Sequence, residues 1–478
     1  MTFDITQLIP ILPEIVILVL ACTLLLVDLY VKDAQKGINH NLTLIGLVVA
    51  IAVTLLVGGG ERQVVLEGQY VRDALSDTLK VMVLIVSLFV FVYSREYLRD
   101  RALATGEYYS LALFAVLGMM IMISANSYLT IYLGLELLAL CLYALVAFDR
   151  ESKKGAEAAM KYFVLGALGS GMLLYGISMI YGATGSLEFG PVAEVVAEQG
   201  LDNLVLVFGL AFLVVGIGFK FGAVPFHMWV PDVYEGAPTP VVLLLGSAPK
   251  IAAFALAVRL LVDGLGGLHA DWQGMLVILA VLSMGLGNLL AIAQSNIKRM
   301  LAYSTIAHVG FIFLGLLAGT QEGLAAAMFY AIVYAVMAAG VFGILLVLSR
   351  KGYDAENLED LKGLNERDPW YAALMGLMMF SMAGVPPFVG FMAKFFVLKS
   401  IVSIGLVWLA VLAVIFSIIG AFYYLRAIWY MYFDKPTTDA PLTDSGAVRV
   451  ALSINGLSVL ALGLFPALLL SLCQAAFA

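Results

Sequence analysis

The sequence predicts an all-α polytopic membrane protein with about fourteen transmembrane helices. Three observations carry that expectation. Of 478 residues, 63% are hydrophobic and only 12% charged, with a mean hydropathy of +1.01, whereas a soluble domain carries about a quarter charged residues. Apolar runs of about 20 residues recur along the chain, each long enough to cross the hydrocarbon core as a helix. The runs lack the period-2 alternation of a membrane β-barrel.

The expected spans cover about residues 9–30, 41–58, 77–96, 107–124, 127–147, 158–182, 203–222 (extending toward Tyr234), 240–261, 274–293, 300–318, 323–348, 370–398, 403–432 and 450–473. The first has neither a basic leading segment nor a small-residue cleavage site, so it reads as a span and not as a removed signal. Connections are short, with no soluble domain and no low-complexity segment; the longest are Ser349–Asp368, Asp434–Arg449 and Thr184–Asp202. Cys22, Cys141 and Cys473 fall inside apolar runs without metal-ligand spacing and read as small core residues.

Basic residues set the orientation. Assigning alternate connections to the cytoplasm, starting with the first, places sixteen bases there, among them Lys32, Lys36, Lys153, Lys154, Lys298 and Arg299. The opposite connections hold Arg62, Arg72 and Lys399. The positive-inside rule then puts both termini on the outer, periplasmic side.

Seven bases remain within spans: Lys80, Lys161, Lys220, Lys250, Arg259, Lys394 and Arg426. A charge at the bilayer centre costs roughly 2.5–3.5 kcal/mol on insertion scales. Lys80 and Arg259 lie near helix ends, where snorkelling is cheap. Arg426 lies two or three turns from its helix end. Lys161 sits about one turn in, with Glu157 four residues before it on the same face. Lys220, Lys250 and Lys394 are deeper. Glu136 falls at the centre of the fifth span; it reads as an acid facing the bundle interior and paired with a lysine, the alternative being a structural acid bonded to a neighbouring helix.

Two spans look broken. The seventh continues past Lys220 through Gly222, Pro225 and Pro231; the twelfth is interrupted at Gly384, Pro386, Pro387 and Gly390. Proline removes a backbone donor, and unsatisfied backbone at membrane depth is tolerated only inside protein or against a cavity. The two regions are five spans apart, so they would cross the membrane in opposite senses. That is the pattern of an inverted repeat with discontinuous helices: 107–261 (helices 4–8) as one copy and 274–432 (helices 9–13) as the other, flanked by 1–96 and 450–478. The copies differ in chemistry, since the tenth span has His308 where the fifth has Glu136, and the eleventh offers only Tyr330 and Tyr334. His308 reads equally as a core residue or a proton relay. His227, beside Pro225, reads as functional.

No phosphate cradle, iron–sulfur or haem ligand set, or hydrolytic triad is visible. Buried lysines and carboxylates are suited to moving protons, because burial and a nearby opposite charge push their affinities in opposing directions. A sodium or solute carrier is the alternative, and this lysine-rich axis disfavours it.

The stretches KYFVLGALGSGMLLYGISMIYGATGSL, KFGAVPFHMWVPDVYEGAPTPV, GSAPKIAAFA, NIKRMLAYSTIAHVGFIFLG and GVPPFVGFMAKFFV together resemble the antiporter-like membrane subunits of respiratory complex I, the proton-translocating NADH:quinone oxidoreductase. The resemblance covers nearly the whole chain. It implies fourteen helices, two inverted five-helix repeats, and a proton channel along a central polar axis in a bacterial inner membrane. It further implies Glu136 as the acid modulating its lysine partner, Lys220 as the pumping lysine, His227 and Lys250 as the link between half-channels, and Lys394 as the terminal lysine. Lys161 matches a sixth-helix lysine of one branch and would join the same pair network. His308, Tyr330, Tyr334 and water would have to connect Lys250 with Lys394. NADH, FMN, iron–sulfur clusters and quinone would belong to partner subunits, with no cofactor or metal here. The partners implied are a neighbouring antiporter-like subunit, small membrane subunits and lipid, with no nucleic acid. A subunit of a multi-subunit cation/proton antiporter shares the fold and most of the lysines, and a purely structural scaffold is the remaining alternative.

Overall fold

Each helix leaves four backbone N–H groups open at its start, and short polar side chains there close them. The computed structural model describes residues 5–31, 37–200, 203–437, 442 and 444–478. Several of its helices begin at such residues. Asp73 accepts from Ser76 N, Ser127 from Thr130 N, Ser152 from Gly155 N, Asn296 from Arg299 N, Thr320 from Gly323 N, and Asp368 from Trp370 N and Tyr371 N. Lys32, Lys36 and Asp202, used above in reading the connections, lie outside the described residues, as does part of Asp434–Arg449.

The first half contains α1 (Leu12–Asp28), α2 (Gly37–Val57), α3 (Ala74–Asp100), α4 (Gly106–Ile123), α5 (Tyr128–Val146) and α6 (Lys153–Thr184). After the short helix α7 (Phe189–Gln199) come α8 (Leu204–Phe221), α9 (Trp229–Gly236), α10 (Thr239–Gly246) and α11 (Ala248–Ala257). The second half contains α12 (His269–Ile292), α13 (Ile297–Leu317) and α14 (Gln321–Leu348), then the one-turn α15 (Leu364–Arg367), α16 (Pro369–Ala383), α17 (Val389–Ser403), α18 (Val407–Phe433), α19 (Gly446–Leu464) and α20 (Ala467–Ala475). Among the described residues, 13 helices are long and apolar enough to span. The twelfth expected span is met as two shorter helices, α16 and α17, and so does not count as one of them.

Both expected breaks are present. Helix α8 ends where Gly222 adopts the left-handed conformation (φ 75°), and α16 ends where Gly384 does so (φ 88°). A side chain there would face its own carbonyl, so glycine is the residue that fits. The open backbone is closed by nearby side chains: Trp229 Nε1 donates to Phe219 O, Val224 N to Ser283 Oγ, and Gly390 N to Ser381 Oγ.

A third break was not expected. The eighth span, taken as continuous over 240–261, is divided at Ser247 (φ −115°, ψ −94°) into α10 and α11, and then widens into a π-helical segment, Val258–Gly264. Gly246 and Pro249 beside Ser247 were the signal: glycine weakens a helix and proline removes a donor. Helix α6 starts at Lys153, five residues before the expected start, which places Lys161 more than two turns in. Pro466 similarly separates α19 from α20. Outside the spans, strands β1 (Gln63–Val65) and β2 (Tyr70–Arg72) form an antiparallel hairpin in register Val64↔Val71. Helix α7 buries Phe189, Val192 and Val196 within the 184–202 connection and packs on the π segment.

The connections sort into two ends of the bundle. At one, Arg101 pairs with Asp354, Lys154 with Glu356 and Lys298 with Glu356. At the other, Val71 N donates to Ser124 O, Asn126 N to Gln69 O, and Tyr128 N to Leu187 O. Helices α13 and α14 lie at the centre, almost wholly buried; α14 touches α10, α11, α13, α16, α17 and α19.

Gly222→Ala should destabilise the protein by at least about 1–2 kcal/mol, since its Cβ would also meet Val230 Cγ2 at 2.4 Å. The melting temperature of the purified assembly reads this; an unchanged value would contradict the strained-cap assignment.

Candidate functional site

A helix C-terminus carries open carbonyls and the negative end of the helix dipole, so it favours a cation. The two glycine-capped breaks use this. Lys250, on α11 and 2% exposed, donates from Nζ to Phe221 O at 3.0 Å, the last carbonyl of α8, and lies 5.9 Å over the Trp229 ring. Lys394, on α17, donates to Ala383 O at 2.9 Å and Met382 O at 3.2 Å, the last turn of α16, and to Ser417 Oγ at 2.7 Å. Its ammonium also sits 5.2 Å over the Phe311 ring.

Lys220 precedes Phe221 directly, so the first break brings Lys220 and Lys250 together. Lys220 makes no hydrogen bond or close ion pair with the described residues. It lines a small cavity with Leu135, Tyr143, Tyr162, Ser170 and Trp229. Glu136, on α5, makes no close ion pair with Lys220, and one of its carboxylate oxygens is buried with no hydrogen-bond partner. His227 lies within the break itself with Nδ1 buried and unpartnered, and it contacts neither lysine. Lys161 is placed differently. It pairs with Glu157, as the four-residue spacing implied, and with Asp232 on α9, each at 2.8 Å. Asp232 and Glu235 in turn bind Arg299, so Lys161 belongs to a half-exposed ionic network at the bundle flank and not to a direct contact with Glu136 or Lys220.

His308 is at the centre of α13 and has a hydroxyl on each ring nitrogen: Tyr330 at 2.7 Å on Nδ1 and Tyr424 at 3.0 Å on Nε2. Tyr334 bonds instead to Thr305 at 2.6 Å. A small cavity is lined by both His308 and Lys394, together with Tyr424 and Ser417.

Two bases expected to snorkel do not. Lys80 is 1% exposed and pairs with Glu14 of α1 at 2.7 Å, and Tyr70 of β2 donates to the same Glu14 oxygen at 3.0 Å. Arg259, 3% exposed, pairs with Asp73 and Asp263 and donates to Ile123 O. Burial would raise the Asp73 carboxyl, but the Arg259 guanidinium and the Ser76 N–H outweigh it and hold it below the usual carboxylate range. Nearness to a helix end does not expose either base: α1 and the hairpin cover Lys80, while the start of α3 and the end of α4 meet Arg259. Arg426 also closes helix carbonyls, donating to Ile292 O and Gln294 O beyond α12. Among the described residues, no three His, Cys, Asp or Glu side chains gather into a metal site.

Residues 125–477 match the family model described as NADH:quinone oxidoreductase/Mrp antiporter, TM. NADH-quinone oxidoreductase subunit N of Thioalkalivibrio sulfidiphilus is 58% identical over 477 residues, covering 100% of this chain and 99% of its own. The chain belongs to the subunit N family of NADH-quinone oxidoreductase. Subunit N of Alkalilimnicola ehrlichii is 57% identical over 98% of this chain and 96% of its own. A chain in the solved structure of respiratory complex I from Thermus thermophilus with bound aureothin is 33% identical and superposes with a TM-score of 0.82, covering 96% of this chain and 98% of that one. Membership of the subunit N family makes this an antiporter-like, membrane-spanning component of that enzyme complex.

Removing one partner of a buried ion pair leaves an uncompensated charge, at a cost of about 3–5 kcal/mol. Glu14→Gln alone should therefore lower the melting temperature of the assembly strongly, while Glu14→Gln with Lys80→Met should recover most of the loss. Equal stability of the single and double variants would contradict the pair.

Proposed function

We propose that this chain is a proton-translocating subunit that couples electron transfer from NADH to quinone, carried out in other subunits, to proton movement through Glu136, Lys161, Lys220, His227, Lys250, His308 and Lys394. The observation that carries this reading is the pair of ammonium groups, Lys250 and Lys394, seated on carbonyls opened by helix breaks inside the membrane. A lysine so placed is held by dipoles and not by a contacting carboxylate, so a modest change at the break alters its hold on a proton. Lys220 has a cavity around its ammonium and Glu136 at a distance, so movement of that acid toward or away from it loads or unloads the proton. Lys161 and Asp232 lead to the same region from the flank through α9, whose first residue, Trp229, lines the Lys220 cavity.

The matching glycine-capped breaks of α8 and α16 support two inverted repeats, helices 4–8 and 9–13. NADH, FMN, iron–sulfur clusters and quinone then belong to partner subunits, and the neighbours are another antiporter-like subunit and small membrane subunits. The base-rich end of the bundle faces the cytoplasm, with both termini on the periplasmic side of the inner membrane. The family model also covers cation/proton antiporters, but relatives above 50% identity named as subunit N favour the redox-coupled reading.

The test uses inverted membrane vesicles carrying Lys220→Ala or Glu136→Ala in assembled complex, with NADH-driven quinone reduction and proton uptake recorded together. Both activities should fall in step. Normal reduction with normal uptake would remove Lys220 from the pumping role and favour a scaffold.

A further inference from the structure

We propose that Tyr424 and Ser417, two turns apart on α18, carry the proton between His308 and Lys394. This rests on the relay reading and adds two residues to it. The observations are geometric. Lys394 Nζ donates to Ser417 Oγ at 2.7 Å, and Tyr424 is 3.0 Å from His308 Nε2. Both α18 residues line the one cavity that His308 and Lys394 share. Tyr424 is 2% exposed and His308 4%, so neither hydroxyl nor ring has bulk water as a partner.

The spacing on α18 makes the arrangement. Residues seven apart lie on one helix face, so Ser417 and Tyr424 point to the same side of α18, with Gly420 between them. A Cβ at Gly420 would meet Asn288 Oδ1 at 2.4 Å. The glycine therefore lets α18 approach α12 there, and Tyr423 bonds the same Asn288 oxygen at 3.1 Å. Tyr423 is thus committed to Asn288, whereas Tyr424 faces His308 and Ser304.

A hydroxyl is both donor and acceptor, so it can pass a proton without a lasting charge. Lys394 releases a proton toward Ser417. Ser417 passes its own proton to a water in the cavity, which has room for about one, and that water delivers a proton to Tyr424 as Tyr424 gives its own to His308 Nε2. The ring then holds a proton on each nitrogen, as an imidazolium. The hydroxyls of Ser417 and Tyr424 end as they began, His308 carries the positive charge, and Lys394 is left as a neutral amine. The reverse sequence reloads it.

The experiment compares Tyr424→Phe, Ser417→Ala and Ser417→Thr with Lys220→Ala, all as assembled complex in inverted vesicles. It reads NADH oxidation, proton uptake and the solvent deuterium isotope effect. An acid–base group is worth about 10²–10⁴-fold; because water can partly replace a hydroxyl, we expect about a tenfold loss of turnover in Tyr424→Phe, with a raised isotope effect. Ser417→Ala should behave alike, and Ser417→Thr should restore the rate. A wild-type rate and isotope effect in Tyr424→Phe, beside an inactive Lys220→Ala, would overturn this proposal and leave the relay reading standing. Reduced assembly with an unchanged rate per complex would also overturn it, since that is what a structural hydroxyl gives. Normal pumping by Lys220→Ala would remove the relay reading and this proposal with it.

Discussion

A helix that stops inside the membrane leaves carbonyls without donors, and a lysine buried there has an ammonium without acceptors. Each problem is the other's solution, and the rest of this structure depends on that exchange. Phe221 O and Ala383 O each receive a lysine Nζ at 3.0 and 2.9 Å. The interaction holds a cation without a fixed counter-anion. A contacting carboxylate would make proton release much harder, because an opposite charge within about 4–6 Å favours the charged form. Among the described residues, neither seated ammonium has a carboxylate in contact with it, and Glu136 makes no close ion pair with Lys220.

The two breaks are alike in backbone and unlike in chemistry. Aligning Gly222 with Gly384 puts Pro225 on Pro387 and Phe226 on Phe388, but Lys220 on Met382 and His227 on Val389. The second break takes its cation from its own downstream helix, at Lys394, while the first takes one from α11. The same carbonyl device thus holds one lysine in each half of the chain, and in the first half Lys220 stands beside it without a carbonyl partner among the described residues. Where the second half lacks charge, it substitutes hydroxyls: Tyr330, Tyr334 and Tyr424 surround His308, and the central helices α13 and α14 hold three of these four groups away from lipid.

Much of this was legible in the sequence, because a lysine or a proline in an apolar run is improbable without a reason. Lys220, Lys250, Lys394 and both glycine–proline breaks could be read for that reason, and the family resemblance rests on the same residues. What escaped was of a different kind. The Ser247 break had its signal in Gly246 and Pro249, yet no polar run marked it, since every residue around it is buried. The Glu14–Lys80 pair joins spans whose contact no periodicity records. Tyr424 carries no mark that sets it apart from the other tyrosines of its span, and only the packing of α18 on α12 brings it to His308. The flank network around Lys161 shows the converse: the i, i+4 pair with Glu157 was readable, whereas the stronger organisation through Asp232 and Arg299 depends on how α9 returns after the break.

Lys250→Met, which keeps the length and packing of the side chain and removes only the donor and the charge, tests the carbonyl-held cation most directly. The measurement is the rate of NADH oxidation and the protons taken up per NADH in vesicles with a confirmed amount of assembled complex. Our account predicts that both turnover and proton uptake collapse although the complex assembles. A wild-type rate with a wild-type proton yield would contradict it, because the break at α8 would then need no cation to do its work.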